Sequence, residues 1–279
     1  MLLIYRALVL FDIDGTLVRR AGPHHREALV HGVRRVTGLE TTTDGIPVQG
    51  MLDPDIISAM MRQAGAGRAA IDEAMPRIQR AAERYYVRVC PVLEGKHCPG
   101  VVPLLERLTR RGVLLGLVTG NLTRIGWRKL ERAGLREFFR FGAFGEMAKT
   151  RAGLARIAIR EARRRGWIAR EAPISLIGDA PADVLAARAN GIRGIAVATG
   201  LTPAEELRSH RPDILLKDLR GLRLRMVGCG AANPGCSRLS AGACGDRRLS
   251  HASQEPPEKA AAGRIARPTK RTSAYRPRG

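Results

Sequence analysis

The sequence predicts an α/β protein: a doubly wound parallel sheet carrying an inserted α-helical cap, followed by a basic, disordered C-terminal tail. Three observations predict it. Short apolar runs without polar alternation, such as LVLF at 8–11 and VLLGLV at 113–118, suit strands buried on both faces of a parallel sheet. From residue 100 onward such runs alternate with segments of helical periodicity, as in successive strand–helix units with right-handed crossovers. Between the first run and that alternation, residues 18–92 show helical periodicity and no strand pattern.

The elements follow in order. Residues 7–11 form the first strand. The opening MLLIYRALVL has the apolar look of a signal peptide, but no small-residue cleavage site follows and the run leads straight into Asp12. Residues 24–37 place Ala28, Leu29, Val33 and Val36 on roughly one helical face. Residues 54–64 begin with Pro54 and carry Ile56, Ile57, Met60 and Met61 at helical spacing, and 71–90 continue in the same style. Then come helix 100–111, strand 113–118, helix 122–133, a short segment at 141–145, helix 151–165 and strand 174–177. Helix 182–190 is stopped by Gly191, and strand 194–198 follows. Thr202 to Glu205 fit a capping box with Pro203 at the first helical position, and 213–216 is the last strand. The expected division is residues 1–17 and 93–220 as the α/β core, 18–92 as the cap, and 221–279 as the tail. The tail is rich in Gly, Ser, Pro, Ala and Arg, too poor in large apolar residues to offset the entropy of ordering. No internal repeat is found, and no stretch of about 20 apolar residues that would span a membrane.

The net charge is +22, from 48 basic and 26 acidic residues. Residues 221–279 hold 12 of the basic and 3 of the acidic ones, so +9 of the charge sits in the tail. Such a charge by itself suggests nucleic acid or an anionic membrane. However, 42 of the basic residues are Arg, and with Ala and Gly also abundant this is the excess that codon bias produces. Aromatics are only 4%, so platforms for base stacking are scarce, and nucleic acid is not expected as the main partner. Cysteines at 90, 98, 229, 236 and 244 are too few and irregular for a disulfide scaffold, so a reducing cytoplasm is the expected location. The tail cysteines, spaced by seven and eight with His251 nearby, lack a C-x-x-C pair, which argues against zinc.

Polar signals fall at the carboxyl ends of three predicted strands, where ligands bind in sheets of this kind. Asp12, Asp14, Gly15 and Thr16 follow the first; Thr119, Gly120 and Asn121 follow strand 113–118; Gly178, Asp179 and Asp183 follow strand 174–177. Lys149 and Arg151 stand at the start of the helix between the second and third signals. Together, FDIDGTL (11–17), VTGN (118–121) and IGDAPADV (177–184) resemble, in order and spacing, the motifs of the haloacid dehalogenase-like superfamily of phosphotransferases. The resemblance covers residues 7–218 and implies a Rossmann-like core. Helical residues 18–92, placed just after the first motif, resemble the cap of the phosphoglycolate phosphatase-like branch.

The resemblance implies a Mg²⁺-dependent phosphatase, monomeric or homodimeric, acting on a small phosphorylated metabolite. It implies Asp12 as nucleophile, forming an aspartyl phosphate, and Asp14 as general acid and then base. Gly15 lets the backbone turn close to the phosphate. Mg²⁺, which prefers oxygen ligands, would sit on Asp12, the backbone carbonyl of Asp14 and Asp179, with Asp183 in support. Asp183 has an alternative as an acid suited to the positive start of a helix. Thr119 would donate to a phosphate oxygen or cap its strand end, and the amides of Gly120 and Asn121 suit an anion, with capping of helix 122–133 as the other role of Asn121. The family places a Lys before the next helix; in EMAKTRAGL, Lys149 keeps the residue type while Arg151 fits the register, and both stand as phosphate-binding candidates. Ala180 departs from the Ser or Thr usual after Gly-Asp, at a cost of about 1 kcal/mol for the lost hydrogen bond.

Asp14 argues against a dehalogenase, whose relatives lack the second acid. Residues 18–95 hold no Lys, which argues against a phosphonatase that needs a Schiff-base amine. A sugar-phosphate mutase keeps Asp14 and stays open. A non-enzymatic basic binding protein on a degenerate core is disfavoured by the intact set of acids. Within QGMLDPDI (49–56), Asp53 is expected to cap the helix that follows or to touch substrate. His24 and His25 are expected at the surface.

Overall fold

The computed structural model describes residues 4–19 and 21–228. Strand β1 (Ala7–Phe11) is apolar at every position and completely buried, so it needs a strand on each side and helices over both faces. The chain next forms α1 (His24–Thr37), α2 (Asp53–Gln63) and α3 (Arg68–Val89), and then the alternating part: α4 (Val101–Arg110), β2 (Val113–Val118), α5 (Thr123–Arg132), β3 (Phe141–Ala143), α6 (Arg151–Arg164), β4 (Ile174–Gly178), α7 (Pro181–Ala189), β5 (Arg193–Val197), α8 (Ala204–Ser209) and β6 (Ile214–Leu216). The sheet runs β3-β2-β1-β4-β5-β6, and every pair is parallel. Phe11 is paired with Leu117 on one side and Ile177 on the other. Asp12, Thr119 and Asp179 therefore emerge within about one residue of the same height, side by side at the carboxyl edge.

Alternation along β1 divides the core. Leu8 and Leu10 pack with Leu154 and Ala158 of α6 on one face. Val9 and Phe11 belong to the other, whose buried cluster passes through Leu17 and Val18 into the inserted helices, reaching Val33, Ile57 and Ile78. The helices between β1 and β2 are thus packed on a continuous apolar base.

Several boundaries differ from expectation for local reasons. Helix α2 starts at Asp53, one residue early, with Pro54 inside its first turn. At α8, Pro203 occupies the capping position and no side chain caps it. Thr202 instead accepts a hydrogen bond from Gln49 Nε2 at 2.6 Å. Order also extends past residue 220, where the tail was expected to begin: Leu222 and Val227 are fully buried, and Arg107 donates to the Leu222 carbonyl at 2.9 Å. The tail from residue 229, with Cys229, Cys236, Cys244 and His251, lies outside the described residues. No helix among the described residues is long and apolar enough to cross a membrane.

Candidate active site

Three carboxylates meet at the carboxyl edge of the sheet. Asp12 leaves β1, Asp179 leaves β4 and Asp183 sits in the first turn of α7; oxygens of all three lie within 4.8 Å of one another. All are buried. Arg151, the first residue of α6, is placed among them by a helix start that Thr150 caps, its Oγ1 accepting from Gly153 N at 3.1 Å. Its Nη1 donates to Asp12 Oδ1 at 3.1 Å, and its Nε stands 3.4 Å from Asp183 Oδ1. Burial opposes the guanidinium charge, but Asp12 and Asp183 hold its pKa above the usual value.

One buried guanidinium does not balance three carboxylates. Burial, then Asp12 and Asp183, push the Asp179 carboxyl up to about 8. Burial pushes Asp183 up to about 7, against the pull of Arg151. Asp183 Oδ1 is buried and accepts no hydrogen bond, while Oδ2 accepts from Ala180 N at 3.2 Å; the residue therefore serves the helix start and the cluster together. Space is also kept around Asp179: a Cβ on Gly15, which has φ +77°, or on Gly200 would overlap its carboxylate. Oxygen donors, an orphaned carboxylate oxygen and a cleared approach fit a hard divalent cation.

Asp14 faces another way. Its carboxylate takes both oxygens to Lys129 Nζ, at 2.7 and 2.6 Å, and Oδ2 also accepts from Asn121 Nδ2 at 2.8 Å. Burial disfavours its charge, but the Lys129 charge and the hydrogen bonds from Lys129 and Asn121 hold the carboxyl below the usual range. Lys129 is 1% exposed, and its remaining donors reach Asn121 Oδ1 at 2.7 Å and His25 Nδ1 at 3.1 Å. Asn121 Nδ2 also donates to Thr119 Oγ1 at 2.7 Å, which leaves the Thr119 hydroxyl hydrogen for another acceptor.

A family model described as haloacid dehalogenase-like hydrolase matches residues 7–191. The chain belongs to that family. A phosphoglycolate phosphatase of Synechococcus elongatus is 35% identical over 121 residues, 43% of this chain and 54% of that protein, so the match spans about half of the relative. A 5′-nucleotidase of Pseudomonas aeruginosa is 28% identical over 77% of this chain and 93% of its own. The crystal structure of CbbY from Rhodobacter sphaeroides in complex with phosphate superposes with a TM-score of 0.61 at 22% identity, covering 81% of this chain and 100% of that one, which shows a shared fold.

In this hydrolase the residues singled out in the sequence separate into groups. Asp12, Asp179, Asp183 and Arg151 come together, and Asp12, Asp179 and Arg151 line a cavity of about 660 Å³ with Asp14, Thr119, Gly120 and Asn121, Asp183 lying behind them. Lys149 does not join them; it is exposed, two residues outside the turn that aims Arg151 inward. Asn121 does not cap α5, because its side chain is taken by Asp14, Thr119 and Lys129. Asp53 is buried and does not cap its own helix: Oδ2 accepts from Leu122 N at 2.8 Å and from His25 Nε2 at 2.9 Å. His25, expected at the surface, is 21% exposed by its side chain and turned inward by those contacts. Lys129 and His25 had been missed as site residues. The signal for Lys129 was its place in WRKLER, level with Ile125 and Leu130 on the apolar face of α5. Thr16 was quoted in the first motif without a role; it is fully buried and donates to Asp179 Oδ1 at 3.1 Å.

Proposed function

We propose that this hydrolase is a Mg²⁺-dependent phosphatase that cleaves a small phosphomonoester through an aspartyl phosphate on Asp12. The observation that carries the reading is Asp12 itself, fixed by Arg151 through Oδ1 beside Asp179 and Asp183, on the floor of a cavity walled by Leu29, Ile56 and Tyr86 of the inserted helices. Arg151 occupies one oxygen of Asp12, and the other is the candidate nucleophile. It attacks phosphorus, the ester bond breaks, and the leaving oxygen takes a proton from Asp14. Asp14, again a carboxylate, removes a proton from the water that hydrolyses the aspartyl phosphate. Lys129 favours that carboxylate form, so it suits the second step and competes with proton uptake for the first. Thr119 offers its free hydroxyl hydrogen to a phosphoryl oxygen, and Arg151 offsets phosphoryl charge.

Asp12, Asp179 and Asp183, with the Asp14 carbonyl, would hold Mg²⁺, which supplies charge neutralisation and alignment of the phosphoryl group. Helices α1 to α3 act as the cap that shields the crevice from bulk water. The relatives named as phosphoglycolate phosphatases and 5′-nucleotidase support a small phosphomonoester as the substrate class. A screen of phosphorylated metabolites with Mg²⁺ tests this: phosphate release that stops on chelation and returns with Mg²⁺ supports it, and release indifferent to chelation refutes it.

A further inference from the structure

Resting on that phosphatase reading, we propose that Lys129 is a positioning residue for the hydrolytic half of the reaction. It aims the Asp14 carboxylate at the attacking water and is itself held in place by His25 and Asp53 of the inserted helices. The hydrogen-bond inventory leaves little choice. An ammonium has three protons and accepts nothing. One goes to the Asp14 carboxylate, one to Asn121 Oδ1 and one to His25 Nδ1. His25 must then present a bare Nδ1 and donate from Nε2, and the acceptor at Nε2 is Asp53 Oδ2 at 2.9 Å. Asp53 Oδ2 in turn accepts from Leu122 N at 2.8 Å, at the capping position of the helix that carries Lys129. The circuit closes: α5 holds Asp53, Asp53 holds His25, His25 holds Lys129, and Lys129 with Asn121 fixes both oxygens of Asp14.

Lys129 is sealed from solvent, whereas the Asp14 side chain keeps 44% of its surface open to the cavity. Lys129 therefore has no donor left for substrate, and Asp14 Oδ1, which accepts only from Lys129, retains a lone pair for water, whereas Oδ2 is filled by Lys129 and Asn121. A buried Lys costs several kcal/mol unless it is paired and hydrogen-bonded, and this one spends every donor on the acid–base residue and its neighbours. The inserted helices thereby contribute to the chemistry through His25 and Asp53, in addition to walling the cavity.

The test is rapid-quench kinetics with p-nitrophenyl phosphate on the full chain, comparing wild type, Lys129→Met and His25→Ala. An aryl leaving group needs little protonation, so transfer to Asp12 stays fast while hydrolysis of the aspartyl phosphate slows. In Lys129→Met, kcat is expected to fall by about 10- to 100-fold with kcat/KM nearly unchanged, and a burst of nitrophenol equal to the enzyme appears. His25→Ala, at a partly exposed position that tolerates truncation, gives the same split with a smaller loss, and decides alone if Lys129→Met does not fold. Equal falls in kcat and kcat/KM without a burst overturn the inference, because they place the loss in formation of the aspartyl phosphate or in the amount of active protein, not in its hydrolysis. Wild type separates the two readings: if it forms no aspartyl phosphate the phosphatase mechanism fails, whereas a normal wild type with no burst in the variants sinks only the role of Lys129.

Discussion

Asp12 carries the proposed chemistry and Arg151 carries its local balance, and each can be tested alone. Asp12→Asn keeps size and hydrogen bonding but removes the nucleophile, so turnover is expected to drop by roughly three orders of magnitude or more while folding is retained; phosphate release and circular dichroism check both parts. Arg151→Met leaves buried carboxylates without their cation. It should lower stability by about 3–5 kcal/mol in urea without Mg²⁺, with much of the loss recovered when Mg²⁺ is added. Lys149→Met, at an exposed site, should leave turnover and stability within error of wild type. The choice between Lys149 and Arg151 was open in the sequence because both sit near the helix start; the Thr150 cap settles which one points inward. The acids were legible because DxDGT and GDxxxD follow apolar runs. Lys129 and His25 were not, because their partners lie 115 and 28 residues away and only packing brings them together.

At the scale of elements, most helices and strands were legible as an alternation of apolar periodicities, to within a few residues; β3 was read only as a short segment at 141–145, and α8 only from the capping signal at its start. The capping was not, since the first amides of α5 are satisfied by side chains distant in sequence. Leu122 N donates to Asp53, Thr123 N to Glu146 and Arg124 N to Glu83. Three carboxylates thus compensate the positive end of one helix, two of them from α2 and α3. That helix end is therefore already occupied, and under the proposed function a substrate anion would rely on Thr119, Gly120 and Arg151. Asp53→Ala should cost about 1–2 kcal/mol through the lost cap, read as a lower urea midpoint at constant slope.

For the whole molecule, pH and metal are coupled through the buried acids. Asp179 and Asp183 have folded-state values raised from 3.8 to about 8 and about 7. A raised carboxyl binds protons more tightly when folded, so its contribution is fully present below about pH 4 and is lost as pH rises through 7 to 8. Without divalent ion the thermal midpoint should therefore fall from about pH 4 to about pH 8 and level off above that, and the increase given by Mg²⁺ should be larger at the alkaline end; scanning fluorimetry with chelator or Mg²⁺ measures this. The anchoring of residues 221–228 is a second property of the whole molecule. The composition of residues 221–228 hid the anchoring of Leu222 and Val227, so a chain ending at 220 should be less stable than one ending at 228 by roughly 3 kcal/mol or more.

The central place of β1 also sets a schedule for biosynthesis. Leu8 pairs with Leu114 and Ile174, so β1 leaves the ribosome before either neighbour and gets the second one 166 residues later. At ordinary elongation rates that is a wait of about 10–30 s. Throughout it an apolar ribbon ending in Asp12 is exposed to chaperones and to other nascent chains, and no shorter translation product can assemble the acidic cluster.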